Sequence, residues 1–376
     1  MKKILLIPDS YKGTMSSMEI CKIMKEAISK HFPQAEVVAV PVADGGEGSV
    51  AAFLAAAGGK KVHLRVKGPY FESLDSFYGI LPDNTAVIEM AAAAGLPLVG
   101  ENRHAELTTT YGAGQLIKHA AEAGCKRIIV GLGGSATNDG GTGAAAALGV
   151  RFLDSDGNDF IPVGGTLDRI AKIDLSSITP ALGSAELTIM CDIDNPFCGP
   201  RGAAAVFAPQ KGADADLVEL LDRNLDHLAE VIKRNLGKEI RDIPGAGAAG
   251  GMGGGMAAFF GGRLRPGIET VLEAVGFDSL LTGADLVISG EGRIDSQSLR
   301  GKVVIGCARH AKAAGIPLIA VVGDIDDYVE EAYAEGVSAI FSINNVAVPF
   351  EKARERCRSD LAMTVDNIMR ALKLYS

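Results

Sequence analysis

Tryptophan is absent from this 376-residue chain, and aromatic residues make up only 5% of it. An aromatic-rich binding face is therefore not expected. A basic excess is also missing, since the net charge is −9 at pH 7. Binding to a phosphate backbone needs a basic footprint, so no nucleic-acid partner is expected. A small anionic substrate stays open, because local cations decide that. No segment approaches the roughly 18 apolar residues of a membrane span, and no membrane partner is expected. Lys2 and Lys3 precede only the run Ile4 to Ile7 before Pro8-Asp9. That run is too short for a signal peptide and fits a buried first strand. The six cysteines (Cys21, Cys125, Cys191, Cys198, Cys307 and Cys357) include no C-x-x-C pair. They read as scattered small apolar residues of a reducing, cytoplasmic setting. A Walker A loop is missing too: Gly301-Lys302 is followed by Val303, and Gly59-Lys60 by Lys61. Neither supplies the hydroxyl that follows the lysine in that motif, and the protein-kinase signatures are absent.

Glycine is abundant, with 47 residues, and the length suits about two to three domains. Ile4 to Ile7 reads as a buried parallel strand. Ser16 with Glu19 forms a capping-box pattern for a helix to about Lys30. Glu36 to Val42 is the next strand and Ser49 to Ala57 the next helix. From Lys61 the rhythm changes to three short strands, Val62 to Val66, Ser73 to Ile80 and Thr85 to Met90. Their connections are too short for crossover helices, which implies antiparallel pairing. A helix at about Thr109 to Ala123 follows, then strands at Arg127 to Val130 and Glu186 to Met190, and a helix at Asp216 to Asn235. After Leu280 the βαβ alternation returns: strands at Asp285 to Ser289, Leu318 to Val322 and Val337 to Phe341, helices at Val303 to Ala314, Tyr328 to Glu335 and Pro349 to Leu374. The expectation is one discontinuous α/β parallel-sheet domain, residues 1–61 and 275–376, interrupted by a mixed α/β domain at 62–274.

The chain centres on Gly131-Leu132-Gly133-Gly134-Ser135-Ala136-Thr137-Asn138-Asp139-Gly140-Gly141-Thr142-Gly143, between an apolar strand and an alanine-rich helix. Plain connections in α/β folds run about 2–6 residues; this one is longer and polar. Glycines let backbone approach a ligand, and a helix start favours anions. Gly131-x-Gly133-x-x-Ala136, with Asp154 downstream, partly matches a dinucleotide fingerprint, although Thr137 to Gly141 falls where its helix should be running. Gly245-x-Gly247-x-x-Gly250 matches by letters only, since no strand precedes it. Gly245 to Gly255 reads instead as a mobile or ligand-touching loop. Asp44 and Glu47 fit a helix cap or a metal- or phosphate-facing turn. Asp192 and Asp194 end a strand, where alternate residues share a face. Glu291 and Asp295 occupy a third strand-end loop. Cations in comparable loops are Lys12, Arg201, Lys211, Arg293 and Lys302. Acids and lysines at several strand ends suit phosphoryl transfer, in which cations neutralise phosphate and acids hold Mg²⁺ or take a hydroxyl proton.

The blocks Pro8-Asp9-Ser10-Tyr11-Lys12-Gly13, Ala43-Asp44-Gly45-Gly46-Glu47-Gly48, Gly133 to Gly141, Cys191-Asp192-Ile193-Asp194-Asn195-Pro196, Pro209-Gln210-Lys211-Gly212-Ala213 and Ser289-Gly290-Glu291-Gly292-Arg293-Ile294-Asp295 resemble the type I glycerate kinases. They come in that family's order and span nearly the whole chain, with Tyr11 standing where phenylalanine is expected. The resemblance implies ATP- and Mg²⁺-dependent phosphorylation of D-glycerate on its 2-hydroxyl. It also implies a flavodoxin-like domain with a restriction-endonuclease-like insertion. On that reading Asp192 takes the hydroxyl proton, and Lys12 and Lys211 contact phosphate or carboxylate. Gly133, Gly134, Ser135, Thr137, Asn138 and Asp139 hold an anionic group. Asp44, Glu47, Glu291 and Asp295 are candidates for substrate hydroxyls or Mg²⁺. Two rival readings are an NAD-dependent hydroxy-acid oxidoreductase and a non-catalytic small-acid sensor.

Overall fold

The structure, a computed structural model, describes residues 1–43, 45–296, 298–327 and 329–374, and leaves the Arg300 side chain aside. Eleven strands build two sheets: β1 Lys3–Pro8, β2 Glu36–Ala39, β3 Lys60–Lys67, β4 Ser73–Ile80, β5 Thr85–Glu89, β6 Arg127–Gly131, β7 Glu186–Met190, β8 Arg263–Arg265, β9 Leu286–Gly290, β10 Leu318–Val322 and β11 Val337–Ser342. The main helices are α1 Ser17–His31, α2 Ser49–Ala57, α3 Tyr111–Glu122, α4 Thr142–Ala147, α5 Ala215–Leu236, α6 Ala248–Phe260, α7 Val303–Ala313 and α8 Phe350–Lys373. The chain divides into two compact units. One comprises Met1–Asp44, Ala51–Gly58 and Pro266–Ser376; the other comprises Gly45–Val50 and Gly59–Arg265. No helix among the described residues is long and apolar enough to cross a membrane.

The first unit holds a five-stranded parallel sheet in the order β11-β10-β9-β1-β2. Ile4, Leu5, Leu6 and Ile7 are fully buried, as a strand covered on both faces requires. They pair in register with β9, Ile4 opposite Leu286 and Ile7 opposite Ser289. The Ser16 hydroxyl caps α1 by accepting from the Glu19 N–H at 3.3 Å, and α1 and α8 share one apolar core with the sheet. Counted along this unit alone, the strand order is 2-1-3-4-5. The order reverses between β1 and β9, and open α/β sheets bind ligands beyond the carboxyl ends of strands at such a point. The second strand stops at Ala39, short of the expected Val42. The expected helix at Tyr328 to Glu335 reduces to one turn at Glu331–Ala334, Tyr328 lying outside the described residues.

The second unit holds a six-stranded mixed sheet, β8-β7-β6-β5-β4-β3. Strands β3, β4 and β5 pair antiparallel, as their short turns require. Strands β5, β6, β7 and β8 run parallel. Leu116 and Ile117 of α3 pack with Ile128, Val130 and Ile189 of the sheet in one apolar cluster. Leu221, Leu225 and Leu228 of α5 pack with Phe197 and Phe152 in a second.

The glycine-dense stretch corrects its expectation as a loop. Most of it is α6, with every residue from Ala248 to Met256 buried. Ala249, Gly250 and Gly251 are left-handed, so two helical pieces meet at a kink. The missing side chains make room for the other glycine loop. A Cβ on Gly250 would lie 2.0 Å from the Thr137 carbonyl oxygen, and one on Gly255 would lie 2.1 Å from that of Gly140. The Gly140 N–H donates to the Gly250 carbonyl at 2.9 Å.

Gly250→Ala should therefore destabilise the chain by about 2–4 kcal/mol, combining overpacking with a left-handed penalty. Gly157 is also left-handed but has nothing within 4 Å of a Cβ, so Gly157→Ala should cost only about 1 kcal/mol. Thermal melts of the two variants check the contrast; equal losses would deny that the close approach matters.

Candidate active site

In the second unit the loop after β6 is built around Asp139, which is fully buried. Its Oδ2 accepts from the Thr110 N–H at 2.8 Å, the Thr110 hydroxyl at 2.8 Å and the Gly143 N–H at 3.2 Å, and its Oδ1 accepts from the Gly141 N–H at 3.0 Å. The Thr110 hydroxyl also accepts from the Ala144 N–H at 2.8 Å, so its own proton must point to Asp139. Burial pushes the Asp139 carboxyl up, against these donors. Asp139, expected to hold an anionic group, is thus engaged inside the protein, where its own negative charge opposes an anion. It shapes the loop that other residues use.

Lys211 reaches this loop from a tight turn after Pro209. Gly212 closes the turn at φ +95°, and a Cβ there would lie 2.4 Å from the Arg103 carbonyl oxygen. The Lys211 ammonium nitrogen donates to Ser135 Oγ at 2.9 Å and to the Thr137 carbonyl at 2.6 Å. Only 2% of Lys211 is exposed. Burial lowers its pKa to about 7, with the Asp139 charge pulling the other way. Beside it the Thr137 hydroxyl and both polar atoms of the Asn138 amide are buried without a partner among the described residues. Each such orphan costs about 1–3 kcal/mol, a penalty that polar groups of a ligand would relieve. Gly133 is half-buried and Gly134 exposed, forming the solvent-facing edge of the loop. Gly133 packs on the turn at residues 45–48, since a Cβ there would lie 2.5 Å from Gly46 Cα, and its N–H donates to the Gly45 carbonyl at 3.1 Å.

That turn has an anchor which sequence reasoning missed. Glu89 ends β5, is 3% exposed, and its Oε1 accepts from the Val50 N–H at 2.6 Å in the first turn of α2. Burial raises the Glu89 carboxyl, while the N–H groups of Val50 and Gly48 pull it back. A carboxylate at a helix start is favoured by the helix dipole. Its one signal in the sequence is an acid closing the apolar run Ala86-Val87-Ile88. Glu47 is exposed, and Asp44 lies outside the described residues. Asp192 and Asp194 are both exposed and flank half-buried Ile193 beyond β7. Arg201, exposed, has its carbonyl held by the Asn195 amide at 2.8 Å.

The dinucleotide fingerprint at Gly131 meets no helix at Ala136, because α4 starts only at Thr142. The chain between them is taken up by the Asp139 turn. Nor does Gly245 to Gly250 follow a strand; it enters the buried kink of α6.

In the first unit the strand ends at the order reversal carry acids. Asp9 follows β1, is 8% exposed, and its N–H donates to the Gly290 carbonyl at 2.8 Å. Glu291 follows β9 and is 5% exposed. Burial raises its pKa to about 7; Ser298 and Lys302 lower it, and Asp9 and Asp295 raise it. Glu291 Oε1 is buried without a partner among the described residues. Asp295 Oδ1 accepts from the Ser298 N–H at 3.0 Å. Lys12 is exposed, Lys302 half-buried, and Arg293 pairs with Asp326 at 3.0 Å. Tyr11 has a purpose phenylalanine could not serve: its buried hydroxyl donates to the Val321 carbonyl at 2.5 Å.

The glycerate kinase family model matches residues 4–373. The chain belongs to the glycerate kinase family. As a member it is a phosphotransferase. It is 45% identical over 374 residues to a protein of Bacillus subtilis (strain 168) named glycerate kinase, covering 99% of this chain and 98% of that one. It is 46% identical over 343 residues to a protein of Escherichia coli (strain K12) named glycerate 2-kinase, covering 91% and 90%. A crystal structure from Salmonella typhimurium LT2, itself named only provisionally as glycerate kinase 2, superposes with a TM-score of 0.88 at 42% identity, covering 99% of this chain and 98% of that one.

The depressed pKa of Lys211 sets a testable pH dependence. Between about pH 7 and the usual lysine range the unfolded chain binds the proton and the folded chain does not, so this residue's contribution makes stability rise with pH. The rise should be absent from Lys211→Met. Melting temperatures of both proteins between pH 6.5 and 9.5 check this; parallel curves would mean that Lys211 keeps an ordinary pKa.

Proposed function

We propose that the enzyme transfers the terminal phosphoryl group of ATP to the 2-hydroxyl of D-glycerate. The observation that carries this reading is the Lys211 ammonium, buried beside an unpartnered hydroxyl and amide on a glycine loop. A small carboxylate with hydroxyls matches that set: Lys211 and Ser135 take the carboxylate, and Thr137 and Asn138 take hydroxyls. Arrival of the anion favours the charged lysine, so binding draws in a proton near neutral pH. Gly133 and Gly134 let backbone come close. Lys12 neutralises phosphate as a point charge. Asp192 takes the hydroxyl proton.

Mg²⁺ is the metal implied. Among the described residues no group of three or more His, Cys, Asp or Glu is arranged to hold a metal. That suits an ion which usually takes one or two carboxylates and completes its shell with water and substrate phosphates. The unpartnered oxygen of Glu291 fits the first role, with Asp295 as second. When bound, the ion supplies charge neutralisation on the phosphates. On the same reading the first unit, with its 2-1-3-4-5 strand order, is a flavodoxin-like domain, and the second is the restriction-endonuclease-like insertion.

The deciding experiment incubates the full chain with ATP and D-glycerate and reads the product by ³¹P NMR. A 2-phosphate resonance is expected; a 3-phosphate resonance would refute the regiochemistry, and intact ATP would refute the substrate. Loss of the charged contact in Lys211→Ala should cost about 1.5–3 kcal/mol, roughly tenfold to over a hundredfold in kcat/KM. Wild-type kinetics in a folded variant would remove Lys211 from the site. For Asp192→Asn the expected drop in kcat is about 10²–10⁴-fold with little change in KM. Near-normal kcat across a Mg²⁺ titration would remove Asp192 from catalysis.

A further inference from the structure

The first unit contains a cavity of about 380 Å³ at the carboxyl edge of its parallel sheet. The turns after β1, β9 and β11 line it through Tyr11, Lys12, Arg293 and Ile343, and the start of α8 lines it through Phe350 and Arg354. Its size falls within the range of small-molecule sites, about 300–1,000 Å³. Its position is the one where open α/β sheets take ligands.

The lining has two chemical ends. Val348 and Phe350 are large apolar side chains left uncovered, 36% and 64% exposed, in a protein that buries most of its kind. The polar end carries the cations Lys12, Arg293 and Arg354, with carboxylates from Asp324 and Asp360. Asp360 is already neutralised by Arg356, whose guanidinium makes two bonds to it at 3.0 and 3.1 Å. Arg293 is partly spent on Asp326. Arg354 has no ion-pair partner among the described residues, so it brings a cation to this end. An apolar slot joined to a cationic end fits a base carrying phosphates. The Lys211 loop of the second unit offers glycine, hydroxyls, an amide and one ammonium.

We propose that this cavity seats the adenine nucleotide, the base against Phe350 and Val348 and the phosphates toward Lys12, Arg293 and Arg354. The inference rests on the kinase reading above and assigns a place to its second substrate. Sequence adjacency fits it. Gly292, which lines the cavity, directly follows Glu291, and Arg293 stands two residues before Asp295, so the phosphate end adjoins the acids that would hold Mg²⁺.

The test titrates ADP and, separately, adenosine into the full chain by calorimetry. Phe350 is exposed, so Phe350→Ala should fold normally and weaken both probes roughly tenfold through loss of base stacking. Arg354→Glu should weaken ADP about tenfold or more while leaving adenosine unchanged, since only ADP carries the charge it contacts. Ala353→Trp fills the cavity from the surface of α8 and should weaken both probes by about tenfold or more. Melting temperatures confirm folding of each variant. Unchanged ADP affinity in folded Ala353→Trp, or no ADP binding by the wild-type chain, would overturn the proposal. A wild-type chain that binds ADP with these variant effects yet leaves D-glycerate unphosphorylated would sink the substrate reading and leave the nucleotide assignment standing.

Discussion

The second unit depends on a carboxylate that never meets solvent. Asp139 gathers Thr110, Gly141 and Gly143 around its two oxygens. In doing so it folds the polar loop back on itself before α4 begins. An unpaired carboxylate would not be tolerated there, because desolvating a charge without donors costs far more than any neighbouring contact returns. The donors are mostly backbone N–H groups, so the loop conformation and the ionised state of Asp139 require one another. Lys211 is the second half of this arrangement. Among the described residues it has no carboxylate at bonding distance, only a hydroxyl and a carbonyl. An ammonium so placed is held close to neutrality at physiological pH and gains most from an incoming anion.

The first unit uses the opposite sign. Glu291 is buried at the order reversal of a parallel sheet, with Asp9 and Asp295 adding negative potential and Lys302 and Ser298 countering it. A buried acid among acids is costly to ionise and prefers a proton or a cation. Each unit thus removes water from one ionisable side chain, a lysine in the second and a glutamate in the first.

Much of the architecture was legible because it rests on periodicity. Ile4 to Ile7, the Ser16 cap, α2 and the strands at Ser73 and Glu186 follow from patterns that local geometry enforces. The changeover between units falls near residues 44–59 and 265–266; the first lies beside the change of rhythm at Lys61, the second short of the expected boundary at residues 274 and 275. What stayed hidden was tertiary. Nothing local distinguishes a glycine that loosens a loop from one that admits another backbone, so the stretch from Gly245 to Gly255 read as a mobile or ligand-touching loop when most of it is a packed helix. Asp139 and Lys211 stood out as polar residues in glycine-rich settings, but their depth, and hence the shift on Lys211, depends on Ser135, Thr137 and Thr110 arriving from elsewhere. Glu89 was hidden in a strand, since its role exists only once Val50 is placed beside it.

The contact of Gly140 with Gly250 and Gly255 also limits which substitutions this chain can accept. In an ordinary core, a side chain that grows on one element can be answered by one that shrinks on its neighbour. Here both sides are already bare backbone, and no residue is smaller than glycine. A methyl group gained on either segment has no compensating loss available on the other. These positions can change only if the two segments move apart, which would carry Thr137 and Asn138 with them. The loop chemistry and the glycine content of a helix far along the chain are therefore constrained together.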